Sequence, residues 1–205
     1  MQADERLEKG LQHLSLDVSA EIQQKLIDYL QLMLKWNKAY NLTAIKELDS
    51  MVIRHILDSL SILPFIKSTP ILDVGTGPGL PGIPLALCLP DYQFVLLDSN
   101  GKKTRFLTQC KIDLHIENID IIHSRVEDYR PDFGFEIITC RAFAALNTIL
   151  DRTQHLLIST TRVMAMKGKD ELPELAKGYE QLAQHQLRVP WLDEDRQLIE
   201  IGRLK

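Results

Sequence analysis

Apolar positions recur at helical spacing through roughly the first third of the chain, then change to short solid runs set between glycines and prolines. Leu7, Leu11 and Leu14 share one face of an otherwise charged segment, residues 1–16. Ser19 is placed to cap a second helix whose inner face carries Ile22, Leu26, Leu30, Met33 and Leu34. Asn41 and Thr43 mark where that helix turns into a loop. A third helix is predicted over residues 50–63, with Ile53, Ile56, Leu57, Leu60 and Leu63 inward. Arg54 and Asp58 lie four apart on its other side, a spacing at which they would pair. Beyond residue 70 strands are expected at 71–74, 94–98, 119–123, 135–140 and 163–166. Helices are expected between them at 81–89, about 101–113 and 146–158, and again at 170–185. Two late strands, 187–191 and 198–201, flank the acidic turn Asp193-Glu194-Asp195. Repeated strand–helix units imply an α/β fold with a mostly parallel sheet, helices on both faces and an antiparallel edge. The expected organisation is one compact unit, with residues 1–66 as an N-terminal helical cap packed on a core formed by residues 67–205.

Composition narrows this picture little. The 205 residues are 45% hydrophobic and 25% charged, as an ordinary globular domain is. No apolar run approaches a membrane span of about 20 residues, and the first residues do not resemble a signal peptide, so a cytoplasmic location is expected. The three cysteines and six histidines are scattered without ligand-type spacing, which argues for reduced, structural thiols and against a metal site. A net charge of −4 argues against coating of nucleic acid by bulk charge but leaves room for a local basic face.

The chemistry concentrates in residues 71–84, where an apolar run feeds a glycine-rich bend and then a proline-led helix start. A tight turn that binds nothing has the same outline, so three details decide. Gly75, Gly77 and Gly79 alternate, and the dinucleotide pattern Gly-x-Gly-x-x-Gly fails at Leu80. The next strand ends on Asp98, where a carboxylate can take ribose hydroxyls. Pro78, Pro81 and Pro84 remove backbone donors that a pyrophosphate would need. A ligand with ribose and adenine but no diphosphate fits, and S-adenosylmethionine is such a ligand.

Five separated blocks then carry a resemblance. They are Trp36-Asn37-Lys38-x-Tyr40-Asn41-Leu42-Thr43, Arg54-His55-Ile56-Leu57-Asp58-Ser59, the stretch 73–84, Leu97-Asp98-Ser99-x-Gly101-Lys102-Lys103, and Arg141-Ala142-Phe143-Ala144. From about residue 30 to 170 the chain closely resembles the bacterial 16S rRNA guanine-N7 methyltransferase G family, also called glucose-inhibited division protein B. One departure is Cys140, where the family more often has Ser. The resemblance implies a Rossmann-like methyltransferase that uses S-adenosylmethionine on a guanine of small-subunit rRNA. It further implies that Gly75 and Leu80, with Gly77 and Gly79 of the same turn, line the cofactor and that Asp98 takes the ribose. Val126 and Glu127 would flank the adenine, and Arg141 would face the site. Each has a plainer role open to it: Asp73 and Asp98 as caps, Val126 as core, Glu127 as a solvated acid, Arg141 as a structural ion-pair partner.

Guanine N7 carries a lone pair and no proton, so its methylation needs no general base, and no Ser-His-Asp, Cys-His or paired-carboxylate set stands out. Arg141 and Asn41 are the candidates for holding the guanine. RNA contacts are expected from Lys102, Lys103, Arg105, Lys167 and Lys169, and also from Lys35, Lys38 and Arg54. Trp36 and Tyr40 are expected to pack the helical cap rather than stack bases, and His55 to be structural. The expected partner is 16S rRNA or the small ribosomal subunit, bound by a monomer. A small-molecule methyltransferase with the same turn is the main alternative, followed by a non-catalytic binding module. Leu80 disfavours a nicotinamide oxidoreductase.

Overall fold

The computed structural model describes residues 2–141, 145–168 and 174–204. Helix α1 (Ala3–His13) buries Leu7 and Leu11, and α2 (Ala20–Tyr40) buries Leu26, Leu30 and Met33, as their helical spacing requires. Each such side chain contributes about 1.5–3 kcal/mol by leaving water. Ser19 caps α2, its hydroxyl accepting from the Ile22 N–H at 3.3 Å. The helix stops on Asn41, which adopts the left-handed conformation (φ 52°, ψ 55°) that asparagine tolerates.

The third helical stretch departs from the simple helix expected of it. Short α-helical pieces, α3 (Leu48–Met51) and α4 (Asp58–Leu60), flank a π-helical segment, Val52–Leu57. The wider winding of a π turn takes residues four apart out of alignment. Arg54 and Asp58 therefore do not pair: Arg54 reaches Glu194 at 2.7 Å, and Asp58 reaches Arg141 and Arg196.

Seven strands form one sheet in the order β3-β2-β1-β4-β5-β7-β6. These are β1 (Ile71–Val74), β2 (Phe94–Asp98), β3 (Ile119–His123), β4 (Phe135–Arg141), β5 (Leu157–Lys167), β6 (Tyr179–Leu187) and β7 (Arg196–Arg203). The first five run parallel, and β7 is antiparallel to both of its neighbours. Crossovers are made by α5 (Gly82–Cys88), α6 (Gly101–Asp113) and α7 (Leu146–Thr153). The architecture is Rossmann-like. Alternation along the strands divides the core in two. Ile71, Phe94 and Leu96 face α1, α2, α5 and α6, whereas Leu72, Val74, Val95 and Leu97 face α7. Tyr29 and Trp36 of α2 pack on Phe106 of α6, with ring centroids 6.2 and 5.8 Å apart.

The C-terminal third differs most from expectation. The helix expected over 170–185 is not formed by its described part: residues 174–178 are non-helical and Tyr179–Leu187 is a strand. Its glutamines, glutamates, leucines and alanines favour helix, but pairing with β7 overrides that weak preference. A register shift between Gln181 and Ala183 also breaks the alternation that would have signalled a strand. The strand expected at 187–191 thus ends at Leu187 rather than beginning there. Likewise α7 stops at Thr153, and β5 starts at Leu157, beside Phe135, instead of Val163.

Candidate active site

Chain order reverses between β1 and β4, so the carboxyl ends of these strands open a crevice at the centre of the sheet. The parallel register pairs Asp73 with Thr139. Two residues further on, Gly75 has left β1, level with Arg141, the last residue of β4. Two clefts flank this point.

The turn after β1 is built by its own hydrogen bonds. Gly75, Gly77 and Gly79 all have positive φ (65°, 63° and 105°). At Gly79 a Cβ would lie 2.7 Å from Ile83 and 2.9 Å from Leu107, so a side chain there would strain the backbone and displace both neighbours. Gly75 and Thr76 donate to the Leu97 carbonyl, Gly79 and Leu80 to Thr76, and Ile83 to Gly79. Gly77 donates to Asp98 Oδ2 at 2.9 Å, and Gly82 to Asp73 Oδ2 at 2.9 Å. With prolines at 78, 81 and 84, no amide in this turn is left open. A diphosphate has nothing to bind here.

Asp73 organises the turn from below. It is fully buried, accepts also from Thr76 Oγ1 at 2.6 Å and Thr139 Oγ1 at 3.3 Å, and burial pushes its carboxyl up to about 6 despite these donors. Asp98 faces the first cleft, of about 270 Å³, with Gly75, Leu97, Ser99, Lys103, Val126 and Glu127. Besides Gly77, its carboxylate accepts from the Asn100 N–H at 2.8 Å, and Lys103 Nζ stands 3.6 Å away. Two fixed donors hold the group and leave acceptor capacity on both oxygens. Val126 supplies a buried apolar wall; Glu127 is held at its rim by Arg152 at 3.2 Å.

The second cleft, of about 450 Å³, lies beyond β4 and is lined by Ile45, Arg54, His55, Asp58, Arg141, Met166, Lys167, Gly168 and Arg196. Arg141 Nη1 donates to Asp58 Oδ2 at 2.7 Å and to the Arg54 carbonyl at 2.9 Å. Nε and Nη2 have no partner among the described residues, so three of the five guanidinium donors remain. Asp58 Oδ1 accepts from Arg196 Nε at 3.2 Å, and Arg196 also bonds Glu194 at 2.8 Å. His55 accepts or donates at Thr43 Oγ1, 2.9 Å from Nε2; burial, and then the nearby Arg141 cation, depress its pKa to about 4.

The residues singled out in the sequence therefore separate. Gly75, Asp98, Val126, Glu127 and Lys103 line the first cleft; Arg141, Arg54 and Lys167 line the second. Gly77 braces Asp98, Gly79 packs on α6, and Leu80 is buried in the core. Lys102 and Arg105 are exposed on α6, Asn41, Lys35 and Lys38 lie along a third groove, and Lys169 falls outside the described residues.

Comparison with known proteins identifies the fold and the family. The sequence profile described as rRNA small subunit methyltransferase G matches residues 22–199. The chain belongs to this family. It is 48% identical to Ribosomal RNA small subunit methyltransferase G of Ectopseudomonas mendocina, over 97% of this chain and 95% of that one. With the enzyme of the same name from Legionella pneumophila it shares 49% identity, over 93% and 90% of the two chains. Among solved structures, mitomycin 7-O-methyltransferase MmcR superposes with a TM-score of 0.64 at 12% identity, over 86% of this chain and 60% of that one. TehB from Haemophilus influenzae gives 0.51 at 16% identity, over 83% and 66%. These two establish the fold alone.

As a member of the methyltransferase G family the chain is a methyltransferase. Among the described residues no three His, Cys, Asp or Glu side chains gather as a metal ion would need, and no helix is long and apolar enough to cross a membrane. Cys140 is buried in β4, its thiol pushed up to about 12 by burial. Sequence reasoning missed Glu194, which looked like part of a mere acidic turn, and Arg196, which it did not single out. It also missed Ser99, Ser124, Arg125 and Arg152 at the first cleft. Only pairing across more than 80 residues, as between Asp58 and Arg196, reveals the former two.

Proposed function

We propose that this chain transfers a methyl group from S-adenosylmethionine to N7 of a guanine in 16S rRNA, with the small ribosomal subunit or its rRNA as substrate. The observation that carries this reading is the pair of clefts at the carboxyl ends of the strands, one holding Gly75 with an acid and an apolar wall, the other holding Arg141 among further cations. The donor set of the first suits the cofactor: Asp98 for ribose hydroxyls, Val126 and Glu127 beside the adenine, and no amide cradle for a diphosphate. When bound, S-adenosylmethionine supplies a methyl group on a positively charged sulfur.

The protein's part is to bind, orient and exclude water. N7 has no proton to remove, so neither Asp73 nor His55 is needed as a base, and alignment carries the rate. Arg141 offers its Nε and Nη2 donors, unpartnered among the described residues, to the guanine O6, an acceptor beside N7. Asp58 fixes the other edge of that guanidinium. Lys103 stands beside Asp98 at the cofactor and is assigned to that cleft rather than to RNA. Lys102, Arg105 and Lys167 remain assigned to RNA. The small-molecule alternative is not favoured, because the relatives are named for ribosomal RNA.

Labelled S-adenosylmethionine supplied with small subunits that lack the modification is expected to place label in the rRNA, at a guanine that becomes labile to N7-directed chemical cleavage. Absence of label from rRNA overturns the proposal. Asp98→Asn should weaken cofactor binding about tenfold or more, the loss expected of a charged hydrogen-bond acceptor, with RNA binding little changed. Unaltered cofactor affinity would remove Asp98 from the site.

A further inference from the structure

A third groove, of about 690 Å³, runs along the C-terminal end of α2 and shares no lining residue with either cleft. Lys35, Lys38 and Lys46 line it, with Asn37, Asn41 and Thr43, and none of its lining residues is a carboxylate. Lys9, Lys25, Lys103 and Lys111 each face an acid within 4 Å; Lys35, Lys38 and Lys46, like Lys67, Lys102 and Lys177, make no ion pair among the described residues, but these three share one groove. In a chain of net charge −4 such a local excess of positive charge is not the expected background.

The groove has a rigid wall. Asn37 clamps the loop by donating from Nδ2 to the Thr43 carbonyl at 2.9 Å and accepting the Thr43 N–H at 3.0 Å. Thr43 Oγ1 then bonds His55 Nε2 at 2.9 Å and accepts from the Ile45 N–H at 3.1 Å. His55 and Ile45 line the Arg141 cleft on the other side. The loop from Asn41 to Lys46 is thus one partition, with lysines and amides on one face and the acceptor cleft on the other.

Resting on the function proposed above, we infer that this groove binds the sugar–phosphate backbone of the RNA segment next to the target nucleotide. The target base crosses the partition into the Arg141 cleft. Exposed lysines are non-directional point charges, suited to phosphates and not to reading bases, and the side amides of Asn37 and Asn41 add polar contacts without sequence demand. The groove then sets where the enzyme sits on the RNA, and the cleft beyond it sets which atom is methylated.

The test compares the full-length protein with K35E/K38E/K46E and, as a milder control, K35Q/K38Q/K46Q. Binding is measured to naked 16S rRNA and to unmodified small subunits over a range of salt, alongside cofactor affinity and methyl transfer at saturating RNA. The expected result is a loss of RNA affinity of at least tenfold for the glutamate variant and less for the glutamine variant. The slope of log affinity against log salt should fall by about 2 to 3, given roughly 0.7–0.9 per neutralised phosphate. Cofactor affinity should stay unchanged. Unchanged RNA affinity and slope in both variants overturn the inference, as does a loss seen only with the ribosomal particle, which would assign the groove to a protein surface. Wild-type protein that binds rRNA but labels no guanine overturns the function proposed above and leaves the groove to be judged on binding alone.

Discussion

Two buried titratable residues, Asp73 beneath the glycine turn and His55 at the second cleft, have opposite electrostatic consequences. Burial raises the Asp73 carboxyl from 3.8 to about 6, so the folded state holds its proton longer than the unfolded chain. Its contribution is therefore greatest in acid and is lost as pH rises from about 4 to 6. Burial lowers the His55 imidazole from 6.5 to about 4, so folding excludes its proton, and that contribution is lost as pH falls over nearly the same window. Each change corresponds to roughly 3 kcal/mol, and the two slopes oppose each other. Denaturant melts between pH 4 and 6.5, read as differences from wild type so that other acids cancel, should separate them. Asp73→Asn, which leaves His55 uncompensated, is expected to become less stable than its own pH 6.5 value on acidification. His55→Gln is expected to do the reverse. Parallel curves for both variants would show that neither residue is desolvated as described.

The turn between β1 and α5 connects to α2 through one hydroxyl. Tyr29 is fully buried, and its O–H donates to the Pro78 carbonyl at 2.8 Å. Tyr29→Phe keeps the ring packing but leaves that carbonyl without its partner, at a cost of about 1 kcal/mol. The expected outcome is a modest fall in stability with a severalfold loss of cofactor affinity, measured by calorimetry. Loss of stability with unchanged cofactor affinity would mean that Asp73 and Asp98 hold the turn alone. This link also shows where sequence stops being legible. Ser19, the apolar face of α2, Ile119–His123 and Gly101–Asp113 were readable because caps and periodicity are local signals. Asp98 was readable for the same reason, as an acid ending a strand. The Tyr29–Pro78 bond spans 49 residues, and no local pattern announces it. The π turn at Val52–Leu57 is equally silent, and it redirected Arg54 to Glu194. Tyr179–Leu187 was misread because a bulge hid its alternation, and its strand pairing depends on β7. Residue identities marked the first cleft; only topology could assemble the second.

Across the whole molecule, Asp58 joins three distant parts of the chain. It is 4% exposed and receives Arg141 from the end of β4 and Arg196 from the start of β7, while Glu194 ties Arg196 and Arg54 together. The π turn, the sheet centre and the β6–β7 edge thus meet at one carboxylate, and Arg141 owes its orientation to that meeting. Removing the charge strands two guanidinium groups, one of them 18% exposed, where solvent offers only partial relief. Asp58→Asn should therefore lower stability by about 3 kcal/mol. Asp58 does not line the first cleft, so cofactor affinity should hold. If Arg141 positions the guanine, methyl transfer at saturating cofactor and RNA should fall at least tenfold at a temperature where the variant remains folded. Arg196→Gln provides the comparison, since it loosens the same network without freeing Arg141 Nη1 from Asp58. A stability loss shared by both variants, with the rate loss confined to Asp58→Asn, would separate support of the fold from orientation of Arg141. Equal rates in the two variants would sink the positioning role and leave Asp58 as a structural junction.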